Sequence, residues 1–365
     1  MNGRFARLDA LLGLAERSIA LLDRCRPLNA STEAPRVSEL WARKQPRNPA
    51  WIYAAPPDFR QLRTDLLGVA SRLIGGDELD GLYAARAEEL EREARISEAV
   101  GSADFWALAR LRYPIPVGDT HADQARAWAR IEPVAAEADS IPSHATDNPA
   151  SLLRQTLAEV ARQKLPISVV LKEDLQSVAA TTSESVLIKV GVRLSPREAR
   201  RIVMHELLGH VLPRQHARTA PLGLFRVGSA GAADDEEGRA LSIERRLGLF
   251  GRERQAELGR RHLAALSIAE GADWVETVRM LVELGTPIER ALPIVSRVQR
   301  GGGLAREVVY LPALERVERA FAEQPELERW LAQGRLSLEA ARVLARVWPD
   351  LVSQAGSALV PEFHE

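Results

Sequence analysis

The sequence predicts an α+β fold in which helices dominate. Three observations carry that expectation. Through most of the 365 residues, apolar side chains recur at the three-to-four spacing that puts them on one helix face. Only residues 167–190 switch to β-branched residues at period two, which reads as three short strands over 167–171, 177–182 and 186–190. The segment that follows, residues 195–250, carries Met204-His205-Glu206-Leu207-Leu208-Gly209-His210 on one expected helix and Asp234-Asp235-Glu236-Glu237-Gly238-Arg239-Ala240 at the start of another. The expected core is therefore a small sheet, a histidine-bearing helix and a glutamate-bearing helix.

Composition sets the outer bounds. Apolar residues make up 46% and charged residues 27%, enough for an ordinary globular core. A net charge of −1 offers no basic field for nucleic acid or an anionic membrane. Cys25 is the only cysteine, which excludes an intramolecular disulfide and a cysteine-based zinc site, and suits a reducing compartment. Asp9, Glu16 and Arg17 interrupt the first apolar pattern as a signal peptide would not, and no uncharged apolar run of about 18 residues is present. The expected location is the cytoplasm.

In chain order, Phe5, Leu8, Leu12, Ala15, Ile19 and Leu22 share one face of a helix over 4–25. Residues 27–57 hold six prolines and two tryptophans and read as an irregular connector. Helices follow over 58–74 and 77–100, parted by Gly75-Gly76, with Asp77 as N-cap of the second. The Glu and Arg residues of that second helix read as a solvated face. A short helix over 104–111 ends at Tyr113-Pro114-Ile115-Pro116. Residues 119–137 read as helix broken by Pro133, 140–149 as loop and 148–164 as helix. Of the three strands, 186–190 is the candidate edge strand, the one able to pair with an extended peptide.

Ser195, Pro196 and Glu198 form a capping box with proline at N1, so the histidine helix begins there. His205 and His210 are five residues apart, roughly 140° around a regular α-helix, and could not both reach one ion. A π-type turn would realign them, with Gly209 absorbing the distortion and the helix stopping before Pro213. Glu206 stands beside the first histidine, where a carboxylate could move a proton to and from a metal-bound water. Two histidines and a carboxylate with an open position are the ligands of a catalytic zinc, and they also suit iron. Residues 212–233 read as a long loop, with His216 in solvent, and neither His121 nor His144 fits the ligand pattern.

Asp234 reads as the cap of the second helix, over 234–250. Glu237 then stands at N3, a capping role that competes with a ligand role, and Glu236 is the alternative ligand. Glu244, two turns on, could support a ligating histidine or form a plain ion pair. The rest reads as helices over 252–270, 272–284, 287–299, 312–323 and 336–347, with a sharp break at Arg300-Gly301-Gly302-Gly303 and a fraying tail.

The run from Leu194 to Leu212, with Pro221-Leu222-Gly223-Leu224-Phe225, Gly228-Ser229-Ala230-Gly231 and Glu236-Glu237-Gly238-Arg239-Ala240, resembles the microtubule-associated tyrosine carboxypeptidases and their bacterial relatives. That family pairs H-E-x-x-x-H with a helix reading close to Gln-Glu-Gly-Leu-Ala. Here Glu236 replaces Gln and Arg239 replaces Leu. Pro49-Ala50-Trp51-Ile52-Tyr53 is similar to a family segment that lies against the catalytic body, and Arg300-Gly301 with Tyr310-Leu311 to its Arg-Gly turn and Tyr-Leu pair. The resemblance implies a zincin-like metallopeptidase core holding one zinc ion on His205, His210 and Glu237, with Glu206 as general base and then acid. It implies removal of C-terminal residues from a peptide or protein. Arg300, or Arg297 in its place, would then grip the terminal carboxylate, and the Tyr310 hydroxyl would steady the oxyanion.

The division expected is an N-terminal helical region over 1–150 packed on a catalytic core over 151–350, with a tail over 351–365. Alternatives that the sequence leaves open are an endo- or aminopeptidase with the same metal site and a non-catalytic binding protein. Retention of Glu206 argues against the last. Nothing in the sequence points to tubulin as the partner.

Overall fold

Helices form most of the chain in the computed structural model, which describes residues 4–115, 118, 120–132, 140–175, 177–182, 184–349 and 351. The expected break at Pro133, and all of the expected tail but Leu351, lie outside the described residues.

The first expected helix is two, Ala6–Ile19 and Leu21–Arg24, hinged at Ala20 in the left-handed region (φ 39°). The connector is not wholly irregular, for a helix spans Ala30–Ala42 with Pro35 inside it. Pro35 and Ser31, the residue whose carbonyl it cannot reach, are both exposed, so water can take the lost bond. The buried Glu33 carboxylate binds Arg36 and the Ala50 amide and folds the following strap back onto this helix.

Helices Arg60–Leu73 and Glu78–Glu98 form as expected, the second opened by a reciprocal capping box between Asp77 and Asp80. Its charged side chains are not a solvated face. Arg86, Glu89 and Glu91 are buried. They are tolerated there because each is partnered: Arg86 Nη1 lies 2.5 Å from Glu89 Oε2, Arg63 Nε lies 2.9 Å from Glu91 Oε1, and Arg112 Nη2 lies 3.2 Å from Glu89 Oε1. Helical periodicity marks where a side chain points; it does not say whether a second charged helix will cover it.

The strands form two small sheets. β1 (Ile141–Pro142) pairs antiparallel with β5 (Arg193–Leu194). β2 (Ser168–Lys172), β3 (Ala179–Thr181) and β4 (Ser185–Lys189) lie in the order β2-β4-β3. β4 is parallel to β2 and antiparallel to β3. The strand expected at the edge, 186–190, is therefore central and paired on both sides. Two adjacent apolar strands cannot be ranked as edge or centre from their own residues, since a parallel crossover places the later strand between the earlier two.

The described residues pack around two apolar cores. The larger gathers Leu12, Tyr83, Phe105, Trp274, Val295 and Leu344 from helices along nearly the whole chain. The smaller contains Leu152, Val186, Ile188, Ile202, Leu207 and Val211, so the sheet rests on the histidine helix. Among the described residues, no helix is long and apolar enough to cross a membrane.

Candidate metal centre

The histidine helix begins where its capping box places it. Ser195 Oγ accepts from the Glu198 amide (3.2 Å), and Glu198 Oε2 accepts from the Ser195 amide (3.0 Å). It runs as an α-helix over Pro196–Met204 and then widens to a π-helix over His205–Val211. The wide turn is what the five-residue spacing requires, since the extra residue brings His210 round to the face of His205. Gly209 meets a second demand here. A Cβ on it would lie 2.6 Å from Ala240 Cβ, so only glycine lets the glutamate helix approach.

The helix does not stop before Pro213. It continues over Leu212–His216, with a 3₁₀ turn over Ala217–Thr219 and a short helix over Leu224–Val227 in the stretch expected to be a long loop. Proline is tolerated because the carbonyls of Leu208 and Gly209 accept from Arg239 Nη1 at 2.8 and 3.2 Å.

The glutamate helix spans Ala232–Arg246, capped by Gly231 at φ 75°. Asp234 is thus inside the helix and pairs with Arg112 Nη1 at 2.9 Å, and Glu237 lies in the second turn, too far along to cap it. The first turn is held instead by Glu89, whose Oε1 accepts from the Gly231 amide at 3.0 Å.

These two helices bring three ligand atoms together. His205 Nε2 and His210 Nε2 are 3.3 Å apart, and Glu237 Oε2 lies 3.6 Å from the first and 3.9 Å from the second. Ligands about 2.1 Å from a tetrahedral ion stand about 3.4 Å from one another, so the triangle is the right size for one. His205, His210 and Glu237 could hold a metal ion.

The surrounding groups fit that reading. Glu244 Oε1 lies 2.7 Å from His205 Nδ1, and Glu236 Oε1 lies 3.2 Å from His210 Nδ1. These are ion-pair contacts, for neither Nδ1 makes a hydrogen bond; with a cation bound at the Nε2 side, a carboxylate behind each Nδ1 would keep the proton there and leave each Nε2 its lone pair. Two lone pairs and a carboxylate oxygen then converge in a buried space, an arrangement that calls for a cation. The titration of the site expresses the same demand. Burial opposes charge on His205, yet Glu237 and Glu244 outweigh it and push its pKa up to about 10. Burial also opposes ionisation of Glu244 and Glu236, but Arg254 and His205 for the first, and Arg214 and His210 for the second, hold both down to about 2. Glu237 is likewise held well below the usual carboxylate range, burial being overcome by His205 and Arg306.

Glu236, the alternative ligand, is thus turned to the far nitrogen of His210. Glu244 supports His205 and is itself gripped by Arg254, with Nε and Nη2 each 3.0 Å from its two oxygens. Glu206 is half-buried on the wide turn, next to His205.

The remaining candidates fall in different places. Tyr310 Oη accepts from Arg306 Nη1 at 3.2 Å, and Arg306 Nη2 lies 3.2 Å from Glu237 Oε1, so Tyr310 is joined to the ligand cluster through one guanidinium. Arg300 and Arg297 instead converge on Glu307 Oε1, at 3.5 and 3.1 Å. Arg300 is 8% exposed and its Nε has no hydrogen-bond partner. The chain reaches these groups through residues 301–303, all at φ between 75° and 114°. His216 Nδ1 lies 2.8 Å from the Ala332 carbonyl, His121 Nε2 lies 2.7 Å from Glu315, and His144 Nδ1 accepts from Gly191. None of the three joins the cluster. Arg306 was missed by sequence reasoning, and Arg239 was marked only as a departure from the family motif, without its contact to the wide turn. Arg306 stands four residues before Tyr310, but the sequence reads no helix over that stretch, so it gave no sign that the two would meet.

The segment Pro49-Ala50-Trp51-Ile52-Tyr53 is pinned by Asn29, whose side chain bonds the Ala50 carbonyl and the Ile52 amide, and the Tyr53 ring lies against Gly101. Gly101 N in turn donates to the Gly301 carbonyl, so the strap reaches the glycine turn that follows Arg300.

A protein-family model described as microtubule-associated tyrosine carboxypeptidase matches residues 38–364, nearly the whole chain, and the chain belongs to that family. No curated protein matches it.

Proposed function

We propose that this member of the microtubule-associated tyrosine carboxypeptidase family is a zinc-dependent carboxypeptidase. The observation that carries the reading is the convergence of His205 Nε2, His210 Nε2 and Glu237 Oε2, with a carboxylate behind each histidine. His205, His210 and Glu237 would hold the ion. When bound, zinc supplies Lewis acidity and lowers the pKa of a water at its open position. Glu206 takes the proton from the attacking water and returns it to the leaving amine.

Tyr310, steadied by Arg306, donates its hydroxyl proton to the developing oxyanion. Arg300 and Arg297 receive the terminal carboxylate. In support, three guanidinium groups (Arg297, Arg300 and Arg306) share two carboxylates, Glu307 and Glu237, one of which is committed to the metal. The excess of positive charge suits an anionic chain end. β3, an edge strand of its sheet, lies beside the wide turn, and Arg214 ties the turn's continuation to Thr181 of that strand. β3 takes over the peptide-pairing role that the central β4 cannot perform. The substrate is a peptide or protein with a free C-terminus, met in the cytoplasm.

The test compares wild type with Glu206→Gln for bound metal and for cleavage of mixed peptides with free or amidated C-termini. The expected result is one zinc in both proteins, with terminal residues released by wild type only and only from free carboxylates. Cleavage of amidated peptides at the same rate would replace the exopeptidase with an endo- or aminopeptidase. Absence of zinc from both proteins would remove the metallopeptidase reading.

A further inference from the structure

Pro213 creates a defect that the histidine helix must repair. The last wide-turn bond runs from the Leu212 amide to the Leu207 carbonyl. The next donor in register belongs to residue 213. Its N–H would reach the Leu208 carbonyl in the wide register, or the Gly209 carbonyl in the ordinary α register. Proline has none. Leu208, at 1% exposure, and Gly209 both lie within the buried face of the turn, where an unmet carbonyl costs about 1–3 kcal/mol.

Arg239 occupies the gap. It is 2% exposed on the neighbouring helix, and a single nitrogen, Nη1, donates to both carbonyls at 2.8 and 3.2 Å. Burying a guanidinium is costly: burial lowers the pKa of Arg239 to about 10, and Glu328 and Glu236, at longer range, offset that only in part. Gly238 and Ala240, on either side, are small because their helix is pressed between two others: a Cβ on Gly238 would collide with the Ala313 carbonyl, and Ala240 touches Gly209. The segment that delivers Glu237 to the cluster thus also delivers, two residues later, the donor that completes the turn bearing His210.

We propose that Arg239 is a positioning residue for the metal site, holding the wide turn open by supplying from outside the helix the hydrogen bonds that Pro213 withholds. This rests on the metal-site reading above. Without Arg239, the carbonyl that Pro213 leaves unmet has no donor in either register, so nothing bridges Leu208 and Gly209 to fix the wide turn, and His210 is no longer held against His205.

The test measures metal affinity rather than turnover. Zinc and cobalt(II) binding to the metal-free protein is followed by chelator competition and by the cobalt visible spectrum, for wild type, Arg239→Leu, Pro213→Ala and the double variant Pro213→Ala/Arg239→Leu. Arg239→Leu is expected to weaken metal binding about 10–100-fold, the range seen when a group orienting a ligand is lost. In the double variant, the alanine introduced by Pro213→Ala brings a backbone N–H to the orphaned carbonyls, and affinity is expected to return to within about threefold of wild type. If Arg239 served only to balance Glu236 and Glu328, a neutral N–H would not restore binding. Wild-type affinity in Arg239→Leu, or no recovery in the double variant, overturns the proposal. If Arg239→Leu does not fold, the double variant decides: folded and metal-binding supports the proposal, unfolded overturns it. Failure of wild type itself to bind metal would instead overturn the metal site.

Discussion

At His205 the two ring nitrogens face different chemistry. Nε2 points to His210 and Glu237, and Nδ1 to Glu244, which is fully buried and held by Arg254. A histidine ligand is only as well placed as the group behind it. Replacing Glu244 with alanine frees the imidazole to rotate and leaves Arg254 without its partner. We expect zinc affinity to fall about 10–100-fold, read by chelator competition, with activity at saturating zinc recovering more than affinity does. Equal affinity in the variant would show that Glu244 serves Arg254 and not the histidine. At this scale the chain was legible where chemistry is local. His205, Glu206 and His210 announce themselves by type and spacing, whereas Glu237 is set above Glu236 only by the family motif. Arg306 and Arg239 do not announce themselves, because an arginine in a charged helix has no local mark of being buried.

The elements show how closely helix and site are tied. The glutamate helix approaches the wide turn at Gly209, where any side chain must displace Ala240. Gly209→Ala is expected to cost about 1–3 kcal/mol by overpacking and to lose metal binding with it, measured by denaturant unfolding and by metal titration. A second junction lies beneath the site. Glu159, on the helix Leu152–Arg162, binds Arg162 on its own helix and Arg200 on the histidine helix at 3.3 Å. Burial raises its pKa, but Arg162 and its neighbours lower it overall. A depressed carboxylate gives stability that is present above its unfolded pKa, about 4.3, and is lost as pH falls through the folded value below it. Glu159→Gln should therefore lower Tm at pH 7 and narrow its difference from wild type as the pH drops below about 4. A difference that stays constant with pH would mean that the charge of Glu159 contributes nothing. The wide turn itself was readable, since two histidines five apart can share an ion only if the helix opens. The continuation past Pro213 was not, because its repair comes from another helix.

For the whole molecule, the central fact is a buried ionic hub between the N-terminal helices and the glutamate helix. Arg112 lies within 3.4 Å of Glu89, Glu93 and Asp234, with its side chain 7% exposed. Glu89 in turn holds Arg86 and the Gly231 amide that begins the glutamate helix. We propose that residues 151–350 are the catalytic core and that residues 1–150 brace it through this hub. Arg112→Ala strands the buried Glu89 and the half-buried Glu93 and Asp234, and is expected to cost about 3–5 kcal/mol of stability in denaturant unfolding. A loss under about 1 kcal/mol would mean that the hub is solvated and not a brace.

The sequence by itself determined the helical class, the capping box at Ser195, the wide turn between His205 and His210, and the two histidines of the candidate ligand set, while Glu237 came forward as their partner only through the family motif. Each is a matter of neighbours along the chain: spacing, caps and side-chain chemistry. Tertiary structure alone decided which strand is central, which charged helix face is buried, where the glutamate helix begins, and which arginines meet Glu237 and the carbonyls of the wide turn. Those depend on groups far apart in sequence, where a charge is stable or ruinous according to what another helix brings within about 3 Å of it.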